Sequence, residues 1–108
     1  MASPVENRTD DLDRGREAYA SRAWLEAFES FAEADDEEPL GPEDLELLAR
    51  TAWMLGRDDE GIGAFDRAHQ QYLARGETLR AVRCVTWIGM NLAYRRAVGP
   101  ASGNIRKV

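Results

Sequence analysis

Residues 15–34 read GREAYASRAWLEAFESFAEA, and residues 49–68 read ARTAWMLGRDDEGIGAFDRA. Laid over each other at an offset of 34, they place Gly15 on Ala49, Tyr19 on Trp53, Ala27 on Gly61, Phe31 on Phe65 and Ala34 on Ala68. Small residues fall on small ones and rings on rings. Two helices of about 12 to 15 residues, joined by two turns, fill such a period. The residue types suit it: small side chains where helices cross closely, bulky ones where the gap between hairpins must be filled.

Working outward from this pair, helical spacing recurs along the chain and no run alternates as a half-buried strand would. A first helix is expected over Asp11–Ala20, with Leu12, Gly15, Ala18 and Tyr19 inward, preceded by a frayed tail over 1–9. A second, Trp24–Ala34, carries Trp24, Ala27, Phe28 and Phe31 at i, i+3, i+4 and i+7. An acidic connector, Asp35-Asp36-Glu37-Glu38-Pro39, leads to Gly41 and Pro42, which announce a third helix with Leu45, Leu48, Ala49, Ala52 and Trp53 inward. Gly56 stops it. Asp58 and Asp59 are expected to cap a fourth helix whose stripe is Ile62, Phe65, Ala68 and Tyr72, ended by Gly76. A fifth, about Thr78 to Tyr94, shows Leu79, Val82, Val85, Ile88, Gly89 and Leu92 at helical spacing. The helical domain is thus placed at 10–98, with 99–108 an irregular tail or degenerate last helix. A third copy of the repeat fits after a shift of 40, with Gly89 on Ala49, Ala101 on Gly61 and Ile105 on Phe65. It begins well and then loses its pattern.

Ala49, Gly56, Gly61, Phe65 and Ala68 follow a small, turn, small, aromatic, small order that resembles the tetratricopeptide repeat; Trp24, Ala27, Phe31 and Ala34 repeat it upstream. The resemblance implies an all-α, tetratricopeptide-like α-solenoid of about five antiparallel helices, two full hairpins and an incomplete third. More narrowly, GREAYASRAWLEAFESFAEAD, GPEDLELLARTAWMLGRDDE and HQQYLARGETLRAVRCVTWIGMNLAYR together are similar to the repeat segment of large LuxR-type transcriptional regulators of actinobacteria. In that family a separate helix-turn-helix domain binds DNA, and no such domain is present in this sequence. The resemblance implies a non-catalytic protein–protein interaction module. The alternative is a truncated regulator that acts on transcription indirectly, by associating with a full-length relative.

The 108 residues suit one domain, with 44% apolar and 31% charged residues in a normal globular balance. Net charge is −6, but it is unevenly spread. Residues 1–77 carry 20 acids and 8 bases, giving −12, while residues 78–108 carry 6 bases and no acid. Nothing in Met1–Glu6 resembles a secretory signal, so a cytoplasmic location is expected. The most apolar stretch, Cys84–Tyr94, is too short to span a bilayer. The single Cys84 sits in a helical apolar pattern, as a small core residue of a reducing compartment does.

Chemistry is sparse. The one histidine, His69, lies four residues after Phe65 and reads as a packing side chain; with one Cys it supplies neither a metal set nor a nucleophile–base pair. The acidic clusters at 35–38 and 58–60 lack the ligand spacing of a calcium loop, and no cofactor is implied. Arg80, Arg83, Trp87 and Tyr94 mix bases with rings as single-strand binders do, but the strongly acidic first 77 residues argue against direct nucleic-acid binding. In tetratricopeptide arrays the first helix of each hairpin lines a concave groove, so the resemblance directs Arg16, Tyr19, Glu46, Arg50, Trp53, Arg83 and Met90 towards it. Arg16 and Arg50, one repeat apart, would there take an acidic or carboxylate-ended peptide through bidentate bonds. Against that stands a local pair, since Glu46 precedes Arg50 by four residues. Self-association through the incomplete last hairpin is also expected.

Overall fold

The computed structural model describes the backbone of residues 4–107 and the side chains of residues 9–96. Five helices follow one another: α1 (Pro4–Ala20), α2 (Trp24–Glu37), α3 (Pro42–Met54), α4 (Asp58–Ala74) and α5 (Thr78–Lys107). No strand occurs among the described residues. Each helix packs on the next one along the chain, and α1 also meets α3.

The turns within this succession repeat one another. After α1 the amides of Arg22 and Ala23 donate to the carbonyls of Tyr19 and Ala18, at 3.0 and 2.8 Å. After α3, 34 residues on, Gly56 and Arg57 donate to Trp53 and Ala52, at 2.9 and 2.8 Å. After α4, Gly76 and Glu77 repeat the pair on Leu73 and Tyr72. These are helix stops built on a left-handed residue, with φ of 76° at Gly56, 75° at Gly76 and 63° at Arg22.

The core follows the expected stripes on the first four helices. Ala27, Phe31, Ala34, Leu45, Ala49, Ala52, Phe65, Ala68 and Tyr72 are all fully buried. Two glycines permit close crossings. A Cβ at Gly15 would stand 3.1 Å from three ring atoms of Phe31, and one at Gly61 would stand 3.2 Å from the Ala49 carbonyl oxygen.

Three expectations are corrected. Helix α1 starts at Pro4, so residues 4–9 are helical and not a tail; the fixed φ of proline suits a first helical position, where its missing N–H costs nothing. Residues 1–3 lie outside the described residues. Helix α5 continues past Tyr94, where the fifth helix was expected to end, and through Gly99 and Pro100 to Lys107, so of the two alternatives for residues 99–108, an irregular tail or a degenerate last helix, their backbone is helical. Proline removes only its own N–H from the ladder, so the residues on either side of Pro100 can continue the helix. Asp58 and Asp59 make no cap: Arg57 is the capping residue, without a side-chain bond, and the two acids sit in the first turn of α4, where they pair with Arg95.

Helix α5 is also rotated from its expected setting. Leu79, Val82, Val85 and Leu92 are exposed, and its buried face is Ala81, Cys84 and Asn91 with Trp87 and Ile88 partly covered. The small Ala81 and Cys84 allow α5 close to α4, and the Trp87 ring stacks on Phe65 at 5.8 Å, which fixes the rotation. The third repeat copy at a shift of 40 fails accordingly. Gly89 is exposed with open space around it while Ala49 is buried, and the side chains of Ala101 and Ile105 lie outside the described residues.

Candidate binding groove

Side chains from α1, α3 and α5 meet on one surface. Between α1 and α3, Arg16 holds Asp44 with two bonds, Nε to Oδ1 at 3.1 Å and Nη2 to Oδ2 at 2.8 Å. Further along, Arg50 Nη1 reaches the Tyr19 hydroxyl at 3.5 Å. Between α3 and α5, Arg83 grips Glu46, and the rings of Trp53 and Trp87 meet edge to face at 4.9 Å. Of the seven expected groove residues, Tyr19, Arg50, Glu46 and Arg83 are linked in one chain of contacts and Trp53 joins them through Trp87, while Arg16 is tied to Asp44. Met90 is half-exposed on α5, one turn past Trp87, and makes none of these contacts.

Glu46 is the buried centre of the polar part. Its carboxylate, 5% exposed, accepts the Tyr72 hydroxyl and both the Nε and Nη2 of Arg83. Burial alone would raise this carboxyl. The Arg83 and Tyr72 bonds, with the charges of Arg83 and Arg50, outweigh burial and hold it below the usual carboxylate range. Burial, then the bond to Glu46, pushes the Tyr72 phenol well above its ordinary value.

Arg50 is less well matched. Its nearest carboxylate oxygen, on Glu46, stands 3.7 Å away, and its buried Nε has no hydrogen-bond partner. The guanidinium instead lies over the Trp87 ring, 5.2 Å from the centroid. Glu46, Arg50 and Arg83 sum to one net positive charge, on a chain whose total is −6. Two adjoining cavities share Arg50 as a wall. One, about 280 Å³, is lined with rings: Tyr19, Trp24, Trp53 and Trp87, with Met54. The other, about 370 Å³, is polar and includes Glu43, Glu46, Arg80 and Arg83.

The sequence reading anticipated the Glu46–Arg50 pair, and the two are neighbours. It did not anticipate that Arg16 is held by Asp44, nor that Trp87 and Trp24 line the same cavity as Trp53. A signal for Trp87 was present, because it follows Trp53 by 34 residues; the shift of 40 hid it. Tyr72 was read as core only, yet its hydroxyl reaches across to Glu46. His69 donates from Nδ1 to the Ala81 carbonyl at 2.9 Å, tying α4 to α5. Among the described residues no three His, Cys, Asp or Glu side chains gather to hold a metal ion, and no helix is long and apolar enough to cross a membrane. No protein-family model, curated protein or solved structure matches the chain.

Proposed function

We propose that the chain is a non-catalytic protein-interaction module, a tetratricopeptide-like array with two full hairpins and an incomplete third. It resembles the helical repeat region of LuxR-type regulators, and the face formed by α1, α3 and α5 is its peptide-binding groove. Turn hydrogen bonds that recur at the same 34-residue offset as the sequence repeat support the array.

The observation that carries the groove reading is the state of Arg50. A guanidinium with a partnerless buried Nε stands between a ring-lined cavity and a polar one. A peptide carboxylate, at the chain end or on an acidic side chain, meets the solvent-facing part of this guanidinium, whose side chain is 32% exposed, by charge-assisted bonds. An adjacent apolar side chain fills the space among Tyr19, Trp24, Trp53 and Trp87. Arg16 does not share this task, since Asp44 already takes its guanidinium in a bidentate pair and raises its pKa.

Quenching of Trp53 and Trp87 fluorescence by a library of peptides, each as free acid and as amide, tests this. The reading expects the free acids to bind at least about tenfold more tightly than the amides, and Arg50→Gln to remove that preference. A preference that survives Arg50→Gln, or no preference in the native chain, would sink it.

A further inference from the structure

All three tryptophans of the chain, Trp24, Trp53 and Trp87, line the cavity of about 280 Å³ beside Arg50, with Tyr19 and Met54 completing its wall. The four rings come from α1, α2, α3 and α5, and each remains partly exposed. They stand in two edge-to-face pairs, Tyr19 with Trp24 at 5.5 Å and Trp53 with Trp87 at 4.9 Å. Such pairs offer a further ring both kinds of surface it prefers to meet, a negative face and a positive edge.

We infer, on the strength of the groove reading, that the partner's last residue is aromatic: its ring enters this cavity while its own α-carboxylate lies on Arg50. Spacing favours a chain end over an acidic side chain. Arg50 lines both cavities, and its guanidinium is 5.2 Å from the Trp87 centroid, so carboxylate and ring must arrive close together. In an extended peptide the side chains of adjacent residues point to opposite faces, and those two apart are separated by about 7 Å. A terminal residue instead carries both groups on one Cα.

Size and charge agree with that occupant. An aliphatic-lined cavity of about 150 Å³ already admits benzene, so about 280 Å³ has room for a phenol or an indole. A box of rings also suits an alkylated ammonium. Here, however, the protein's own cation, Arg50, already lies over Trp87 and forms part of the wall. With Glu46 neutralised by Arg83, the charge of Arg50 favours an anionic aromatic end and repels a cationic one.

Titration calorimetry of the full chain tests this with acetyl-Ala-Ala-X free acids, where X is phenylalanine, cyclohexylalanine or trimethyllysine. Cyclohexylalanine keeps the size of phenylalanine without its π-system. The phenylalanine acid should bind at least about threefold more tightly than the cyclohexylalanine acid, and the trimethyllysine acid should bind most weakly. Trp24→Leu, a change at a partly exposed position, should reduce the phenylalanine preference to below about twofold, with helical dichroism intact. Equal binding of the phenylalanine and cyclohexylalanine acids overturns the inference; if free acids still outbind amides, the groove reading stands without it. Tightest binding by the trimethyllysine acid, or no saturation by the phenylalanine acid at millimolar concentration, also overturns it. Absence of any preference for acids over amides sinks the groove reading itself, and this inference with it.

Discussion

Arg83 on α5 clasps Glu46 on α3 through two parallel bonds, Nε to Oε2 at 3.0 Å and Nη2 to Oε1 at 2.6 Å, across 37 residues of sequence. The carboxylate is buried and the guanidinium about half-exposed. Arg83→Ala therefore harms mainly by leaving Glu46 short of donors. The expected loss is about 1 to 2 kcal/mol, the lower part of the range for hydrogen bonds to charged groups. In the Glu46→Gln background the same change should cost about 1 kcal/mol less, because the stranded charge is gone. Urea unfolding of the four variants measures both.

The same carboxylate sets an acid limit. Its pKa is lower folded than unfolded, so its stabilisation is complete above the unfolded value of about 4.3 and is lost as pH falls through the folded value. Glu46→Gln should flatten that part of the stability curve. At the alkaline end the sign reverses. Burial, reinforced by Glu46, pushes the Cys84 thiol up to about 11 and the Tyr72 phenol up as well. Stability is then lost as pH rises above about 8.5 for the thiol and about 10 for the phenol. Melting temperatures from pH 3 to 11 display both limbs.

Arg22 holds a left-handed backbone at φ 63°, at the turn position that Gly56 and Gly76 fill with glycine. A side chain there costs about 1 kcal/mol, part of which glycine returns as extra freedom in the unfolded chain. Arg22→Gly should raise stability by about 0.5 kcal/mol, seen as a higher denaturant midpoint at unchanged slope.

Gly61 and Gly63, on one helix, should respond oppositely to alanine. Nothing lies within 4 Å of a Cβ at Gly63, while one at Gly61 would meet the Ala49 carbonyl at 3.2 Å. Gly63→Ala should gain up to about 1 kcal/mol from helix propensity. Gly61→Ala should lose about 1 to 2 kcal/mol, as α3 and α4 are forced apart. Thermal unfolding separates the two.

Asn91 is fully buried, and both polar atoms of its amide lack a partner. Asn91→Leu, close in volume, removes two unsatisfied groups and should stabilise the chain by about 1 to 2 kcal/mol. Asn91→Asp should destabilise it, by burying a charge in the same place. Calorimetry of the pair reads the difference.

The first four helices were legible because their inward residues follow one stripe each: Phe31 and Phe65, Ala34 and Ala68 share both spacing and burial. Helix α5 was not, because it carries apolar residues on more than one side. Leu79, Val82 and Val85 look more like core than Ala81 and Cys84 do, and only close packing against α4 decides between them. Positions of the candidate groove could be named from the sequence, since Tyr19 and Trp53 recur at the repeat. Its charge pairing could not, because Asp44 and Tyr72 lie 28 residues from Arg16 and 26 from Glu46. No local pattern announces contacts at that separation.

Packing of each helix on its successor also bears on how the chain reaches this state. Every major helix interface joins elements separated by a turn or a short connector, so little loop entropy must be spent before contacts form. Folding on a microsecond-to-millisecond scale is the natural regime for such local topology. Growth can begin at any adjacent pair of helices and spread in either direction. The Arg83–Glu46 clasp, which joins α3 to α5 across α4, can close only after both flanking interfaces exist. Its loss should therefore speed unfolding more than it slows folding.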